Sequence, residues 1–230
     1  MTLIADTSVQ AGWLTNVLLH FARGGAEWVL WLLVFLSVAS IAVFLERLRF
    51  LSLHRRDTLA LRARVMDAFD SGGLDALTAD LAQEAAMEGR VLANGLRERE
   101  RGPAAVEELC RGAIAVEKLR YERGLSFLAS VGSNAPYVGL FGTVMGVIMA
   151  FDQLRGLDAG AGGAAGSAGV MGAIAEALIA TGVGLLVAIP AIVFFNFLKS
   201  KVTACVASTE LVMRTMVAYL HQRSSATEGE

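Results

Sequence analysis

The chain has few of the residues on which catalytic and metal sites depend. Its 230 residues include two cysteines, three histidines and three prolines, and aromatic residues make up 7%. Cys110 and Cys205 form no CxxC pair, so we expect two reduced structural cysteines and no metal site. The net charge of −2 gives no basic surface of the kind that binds nucleic acid.

Enzyme signatures are also missing. The sequence has no HExxH and no GxSxG motif, and its three histidines, His20, His54 and His221, all lie outside the long apolar runs. An intramembrane protease would need a nucleophile with its base, or paired aspartates, inside such a run. A solute transporter is disfavoured because about three spans are available and no inverted repeat is visible. We therefore expect no enzyme and no cofactor.

What the chain has in excess is apolar side chains. Hydrophobic residues make up 55% and charged residues 18%, and the mean hydropathy is +0.55. A helix of about 20 apolar residues crosses a bilayer. Three runs meet that length, and we call them spans one, two and three: 28–45, 125–151 and 170–197. The sequence therefore predicts an all-α integral membrane protein with three transmembrane helices.

Basic residues set the orientation of these spans. They gather after span one, before span two and after span three, whereas the opposite side has only two arginines. Cytoplasmic loops carry the excess of Lys and Arg in membrane proteins. This rule places two segments outside, 1–27 and 152–169, and two inside, 46–124 and 198–230.

The inside region predicts long helical extensions of the spans. Amphipathic runs cover Leu59–Phe69, Leu74–Leu96 and Val106–Tyr121, with breaks expected at the glycine pair after the first run and at Gly102–Pro103. We expect these runs to form a bundle with the helical pattern that continues past Lys201. The last run leads directly into span two, which predicts one continuous helix there. The Gly/Ala/Ser-rich connection 152–169 is interpreted as a flexible turn.

Small residues form a stripe on each of spans two and three. At about 100° per residue, each set falls on one narrow face. The span-two set is Gly132, Pro136, Gly139, Thr143, Gly146 and Ala150, and the span-three set is Ala173, Ala177, Ala180, Gly184, Ala188 and Ala191. Small residues let helix backbones approach closely in a bilayer, so we expect the two faces to pack together or to line a path. Pro136 and Pro190 each remove one N–H and free the carbonyl four residues earlier.

Glu176 is the only acid between residues 170 and 197. Two readings stay open: an interfacial residue at the start of a helix, or a carboxylate that faces a cavity and binds or relays a cation. Thr143 and Thr181 lie on or beside the two stripes, and together with Glu176 they could form a polar track through a helix bundle. Neither threonine can titrate, so each could only orient water or hydrogen-bond a carboxylate.

These residues resemble a known family. The segments APYVGLFGTVMGVIMAF (135–151) and AEALIATGVGLLVAIPAIVFFN (175–196) are similar to the signatures of the MotA/TolQ/ExbB proton-channel family, with the ExbB and TolQ branch nearer. The resemblance implies a subunit of a motor in the bacterial inner membrane, so that segments 1–27 and 152–169 would be periplasmic. It implies a homopentamer whose second and third spans surround a central pore. Two copies of a single-span ExbD/TolR/MotB-like partner would sit in that pore and supply a titratable Asp.

The resemblance also assigns roles to individual residues. Thr143 and Thr181 match the family's pore threonines near the partner's Asp, and Glu176 matches the glutamate at the start of span three. The two prolines match as well, and the resemblance implies that the small residues around them, Gly139, Gly146, Ala177 and Gly184, line the pore or pack the helices. Phe195 stands where the family often has Tyr. The transported ion would be the proton, coupled to mechanical work or transport at the cell envelope.

A membrane scaffold that conducts no ions is the alternative from a different class. It would explain both stripes as packing and Glu176 as interfacial. Within the family the sequence leaves open the process energised (outer-membrane uptake, envelope integrity or gliding) and whether protons or sodium ions pass. Flagellar stators with four spans fit less well, because this chain has three.

Overall fold

The computed structural model describes residues 27–53, 57–158 and 164–227, and nearly all of them are helical. The helices are α1 (Glu27–Leu53), α2 (Thr58–Ser71), α3 (Leu74–Gln83), α4 (Met87–Arg97), α5 (Pro103–Glu122), α6 (Leu125–Asp158) and α7 (Ala164–Thr227), with a short 3-10 turn at Arg99–Arg101. Three of these helices, α1, α6 and α7, are long and apolar enough to cross a membrane. The N-terminal segment 1–26 lies outside the described residues.

The chain divides into two compact units. Unit one is the described part of Met1–Ile41 together with Ala129–Ile192, and unit two is Ala42–Leu128 with Val193–Glu230. Unit one contains α-helical segments from the three long apolar helices. Unit two contains α2 to α5 and the remaining parts of those three helices.

Unit two has a core of large apolar side chains. Residues from α2, α3, α4, α5 and the later part of α7 form it, and its fully buried members include Val65, Leu92, Leu96, Met216 and Tyr121. The Met87 amide donates to the Tyr121 hydroxyl at 3.1 Å, so an orphan N–H in the first turn of α4 is satisfied by a side chain. The expected bundle between the amphipathic runs and the helix past Lys201 is therefore present within this unit.

Local signals explain where the shorter helices begin and end. Asp57 caps α2, because its Oδ1 accepts from the amides of Leu59 at 3.0 Å and Ala60 at 3.3 Å. Gly72 ends the same helix at φ +79°, in the left-handed region that glycine adopts without strain. Pro103 lies in the first turn of α5, where its missing N–H costs nothing.

One expectation about this unit is wrong. The run ending at Tyr121 and span two do not form one continuous helix, because α5 ends at Glu122 and α6 begins at Leu125. Arg123 has an extended ψ of 132°, and Gly124 has a φ of +81°. A side chain at that φ would be strained, so Gly124 is the residue that allows the chain to turn between the two helices.

The connection 152–169 also differs from its prediction. Helix α6 continues to Asp158 and α7 already starts at Ala164, so both flanks of the expected turn are helical. Alanine is the best helix former, and it is frequent in the second flank. Residues 159–163 lie outside the described part of the chain.

Candidate functional site

The small faces of α6 and α7 meet in unit one along a seam. A Cβ added at Gly132 would lie 3.2 Å from the Ile192 amide, one at Gly139 would lie 2.7 Å from the Ala180 carbonyl, and one at Gly146 would lie 2.6 Å from the Ala177 Cβ. As the residue number increases along α6, the number of the residue that it meets on α7 decreases, so the two helices are antiparallel. We call this contact the α6–α7 seam.

The seam is closest at Gly139 and Gly184. Their Cα atoms face each other so closely that a Cβ added at Gly184 would lie 3.0 Å from the Gly139 Cα and 2.8 Å from the Ala135 carbonyl. Because these neighbours are backbone atoms, they cannot move aside as a flexible side chain could. Gly139 and Gly184, both predicted to line the pore or pack the helices, are therefore buried at the point of closest backbone approach.

Thr181 forms the hydrogen bond that crosses the seam. Its hydroxyl donates to the Gly139 carbonyl at 3.1 Å. Thr143 instead donates to a carbonyl of its own helix, that of Leu140, at 2.6 Å. Both side chains remain partly exposed. The structure therefore places one threonine in the packing contact itself and the other beside it.

The two threonines lie on the same edge of the seam. A Cβ added at Gly142 would meet both the Ala180 Cβ of α7 and, at 3.3 Å, the Val29 Cγ1 of α1, so Gly142 and Ala180 mark the edge that faces α1. Thr143 and Thr181 each follow one residue later, about 100° further round their helices and away from α1. Since the helices are antiparallel, the two threonines differ in height by only about 3 Å.

Glu176 lies on the other edge. It precedes Ala180 by four residues, which places it about 40° beyond that alanine on the α1 side of α7. Its Oε1 is buried and has no hydrogen-bond partner among the described residues. The structure thus brings Thr143 and Thr181 together and separates them from Glu176, so the three do not form one track along this seam.

Of the remaining predicted site residues, two are buried in the seam and the two prolines are partly or fully exposed. Ala177 and Gly146 are buried against each other in the seam. Pro136 is half-exposed and Pro190 is exposed, and both lie inside their helices without ending them. Sequence reasoning missed Gly142, which contacts both α7 and α1. Its spacing of three residues from Gly139 and four from Gly146 was the available signal.

A separate polar cluster lies in unit two, around Glu88. This carboxylate is only 3% exposed, and its Oε1 accepts from the Ser208 hydroxyl at 2.9 Å and from the Cys205 thiol at 3.7 Å. Burial, with the Glu88 charge and its hydrogen bond adding to the effect, raises the pKa of Cys205 to about 12. Burial likewise raises the pKa of Cys110 to about 11 and raises the pKa of Tyr121 above its usual value. The cluster borders a cavity of about 990 Å³ with mainly apolar walls.

Comparisons with known proteins agree with the motifs of the seam. Residues 83–211 match the model of the MotA/TolQ/ExbB proton channel family. The chain is 39% identical to the biopolymer transport protein ExbB of Neisseria gonorrhoeae over 150 residues, which are 64% of each protein. It is 44% identical to ExbB of Xanthomonas campestris pv. campestris (strain B100) over 101 residues, 44% of this chain and 38% of that protein.

A relative from the TolQ group matches a similar region. The Tol-Pal system protein TolQ of Pseudomonas aeruginosa is 39% identical over 118 residues, 51% of this chain and 49% of that protein. The matched region thus spans less than two thirds of the length of these curated relatives. All of the predicted site residues fall within residues 83–211, the part that the family model covers.

Proposed function

The chain belongs to the MotA/TolQ/ExbB proton channel family, in its ExbB and TolQ branch, and from this membership we propose that it is the proton-conducting subunit of an inner-membrane motor. At the level the comparisons reach, it is a membrane subunit of an energy-transducing complex. The finer proposal is that it works with a single-span partner of the ExbD/TolR type. The two proteins would couple proton flow to work or transport at the cell envelope.

The observation that carries the proposal is the pair of hydroxyls on one edge of the seam. Thr143 and Thr181 lie within about one helical turn of each other, on the edge away from α1. They lie beside exposed apolar side chains such as Leu140 and Val147. A polar pair at a fixed height on an otherwise apolar surface can orient water or the carboxyl group of a partner span.

Glu176 has a different part in this proposal. Its buried, unpartnered oxygen lies on the edge toward α1. A carboxylate within a span faces a bundle interior or a water-filled cavity. We assign it a place on the proton route distinct from the threonine pair, at an earlier or later point along the membrane normal.

The proposal includes assembly into a homo-oligomer, with a pentamer expected from the family. Helix α5 supports self-association, because it exposes Leu109, Val116 and Leu119 at spacings of seven and three residues on one face. Val116 is 67% and Leu119 is 72% exposed, in a helix that we expect in the cytoplasm from the distribution of basic residues. An apolar face of this kind in water is typical of a protein contact.

A flux assay tests the proposal. The chain and its partner are reconstituted in vesicles that contain a pH-sensitive dye, and proton entry is followed after a potential is applied. Thr143→Val, Thr181→Val and Glu176→Gln are each expected to lose most of the flux while the complex stays assembled. Thr215→Val is the matched control, because the Thr215 hydroxyl donates to a carbonyl of its own helix in unit two.

The assay also decides between the channel and the scaffold. Normal flux in all three variants would contradict the assigned residues. A wild-type complex that assembles but passes no protons would favour the scaffold. Replacing the proton gradient by a sodium gradient in the same vesicles tests which ion passes.

A further inference from the structure

The buried carboxylate of Glu88 leaves one of its oxygens without a donor. Glu88 lies in the first turn of α4 and is only 3% exposed. Its Oε1 accepts from the Ser208 hydroxyl at 2.9 Å, whereas its Oε2 is buried and has no hydrogen-bond partner among the described residues. A buried acceptor in this state costs free energy until a donor reaches it. The site around Glu88 is therefore one hydrogen-bond donor short.

The polar neighbours of Glu88 have no further donor to give. Ser208 has a single hydroxyl proton, and that proton is free for Glu88 because the Cys205 carbonyl already accepts from the Thr209 hydroxyl at 2.8 Å. The Cys205 thiol lies 3.7 Å from Oε1 and is a weak donor. Both of these contacts reach Oε1, so the donor for Oε2 has to come from elsewhere.

The charge of Glu88 is also uncompensated by a basic side chain. Lys201 lies on the wall of the same cavity, but its Nζ is placed over the Phe197 ring, 5.3 Å from the ring centroid. In the part of the chain that the structure describes, no group of three potential metal ligands is present. The first turn of α4 favours a negative charge through the helix dipole, but a dipole supplies no counter-ion. A bound cation that carries N–H groups would meet both needs.

The cavity beside Glu88 has room for more than a small ion. Its volume is about 990 Å³, and it lies wholly within unit two. Small-molecule sites have this size and combine apolar walls with a few polar groups. Apolar walls offer water few partners. The apolar side chains that line the cavity are Leu48, Leu51, Leu59, Phe197, Leu198 and Ala204.

We propose that this cavity binds a primary ammonium group carried on an apolar body. The ammonium group donates to Glu88 Oε2 and neutralises the carboxylate, and the apolar body packs against the leucines of the wall. A trimethylammonium group brings the charge without an N–H, and an alcohol brings a donor without the charge, so both should bind more weakly. The site uses none of the seam residues, and the proposal does not depend on proton conduction.

The ammonium group could come from a membrane lipid or from a free amphiphilic amine. Ser208, which holds Glu88, lies eleven residues beyond Phe197, where span three is expected to end. That separation is about 16 Å along α7. The headgroup layer on each side of a bilayer is about 5–8 Å thick. A lipid amine would have to leave this layer to reach Glu88, whereas a free amine would not.

The test follows the S–H stretching band of Cys205 in the infrared spectrum of the full chain in bilayer discs. An ammonium group on Glu88 weakens the carboxylate as an acceptor for the thiol, so the band should rise in frequency and saturate as octylammonium is added. Octanol and octyltrimethylammonium are expected to give little shift. The band of Cys110 is the internal reference, because that thiol donates to the Val91 carbonyl, at 3.7 Å.

Two variants and one control locate the binding. Glu88→Gln keeps the shape of the side chain and should weaken octylammonium binding by about tenfold or more, the effect of one hydrogen bond to a charged group. Ala204→Phe fills the cavity from an exposed position and should lose most of the saturable shift while Glu88 stays intact. Glu117→Gln is the matched control, because Glu117 is also buried but already pairs with the Arg90 Nε at 3.0 Å.

The outcomes separate the proposal from its rivals and its two sources from each other. A Cys205 band that stays fixed, shifts equally with octanol or octyltrimethylammonium, or responds to octylammonium in Glu88→Gln as in wild type overturns the proposal. Saturable binding in discs of phosphatidylglycerol supports it. If discs of phosphatidylethanolamine already show the shifted band without added amine, the lipid headgroup is the source. If they show it only after octylammonium is added, the source is a free amine.

Discussion

The two units of this chain are stabilised in opposite ways. In unit two, large side chains such as Leu92 and Met216 are fully buried. In unit one, the buried contact consists of glycine and alanine, and large side chains such as Phe35 and Leu186 are exposed, at 67% and 70%. Burial of apolar surface drives the first arrangement. In lipid that force is absent between helices, so close backbone packing has to replace it.

The largest expected effect comes from shortening a buried side chain in unit two. Leu92→Ala should lower the free energy of unfolding by about 2–5 kcal/mol, because it removes buried methyl groups and leaves a cavity. Leu186→Ala removes the same atoms from an exposed position in unit one and should cost less than about 1 kcal/mol. Chemical unfolding of both variants in bilayer discs measures the difference. Equal losses would contradict the contrast between the units.

Enlarging a side chain, in contrast, should destabilise the closely packed seam of unit one. Gly139→Ala places a Cβ 2.7 Å from the Ala180 carbonyl and is expected to destabilise the seam by about 1–3 kcal/mol through overpacking. Gly182→Ala lies on the same pair of helices with nothing within 4 Å, and it should be neutral or slightly stabilising. Thermal unfolding of the two variants, measured side by side, checks this. A tolerated Gly139→Ala would mean that the helices can separate at little cost.

A smaller effect is expected at the buried carboxylate of unit two. Ser208→Ala removes the hydroxyl that donates to Glu88 at 2.9 Å and should cost about 1–2 kcal/mol, since a buried charged acceptor loses a donor. Ser225→Ala removes an exposed hydroxyl that bonds within α7 and is expected to have no measurable effect. The comparison uses the same unfolding titration. An equal response of both serines would show that Glu88 gains nothing from its donor.

The smallest effect concerns the reactivity of the two cysteines. Burial raises the pKa of Cys205 from 9.0 to about 12, so at pH 8 its thiolate should be about a thousandfold scarcer than in the unfolded chain. Mass spectrometry after maleimide treatment should find both cysteines unlabelled in the folded protein and labelled after denaturation. Because folding raises this pKa, its contribution to stability is complete below about pH 9 and declines as the pH rises toward 12. Rapid labelling at neutral pH would contradict the burial of this cluster.

The apolar runs were sufficient to predict the long helices. Spans one, two and three each lie within a helix of the structure, and the glycine pair at 72–73 separates α2 from α3 as expected. The bounds differ because a span prediction ends at the first charged residues, whereas a helix continues through them when its backbone stays hydrogen-bonded. Helix α1 thus reaches Leu53, and α7 reaches Thr227.

Other features of the structure depend on contacts between residues that are far apart in the sequence, and the periodicity of the sequence does not reveal such contacts. The stripes predicted which residues are small, but not that Gly142 would meet Val29 of α1, because α1 is remote in sequence. Glu88 could not be identified as buried, since its partners Cys205 and Ser208 lie more than one hundred residues later. Glu176 and Thr181 stand on opposite margins of one helix in the sequence. The position of α1 in the structure shows that Glu176 lies on the margin toward α1 and Thr181 on the margin away from it.

The turn at Gly124 has a consequence for how the two adjoining helices can vary. In a continuous helix, an insertion of one residue rotates everything beyond it by about 100° and would turn the seam glycines away from α7. A left-handed glycine between Glu122 and Leu125 interrupts that propagation. The rotational phase of α5 is set by its core contacts at Val106, Cys110 and Tyr121, and that of α6 by Leu125 and Leu128 in the same core and by its glycines in the seam. A change in the length of α5 therefore need not turn the seam glycines of α6 away from α7.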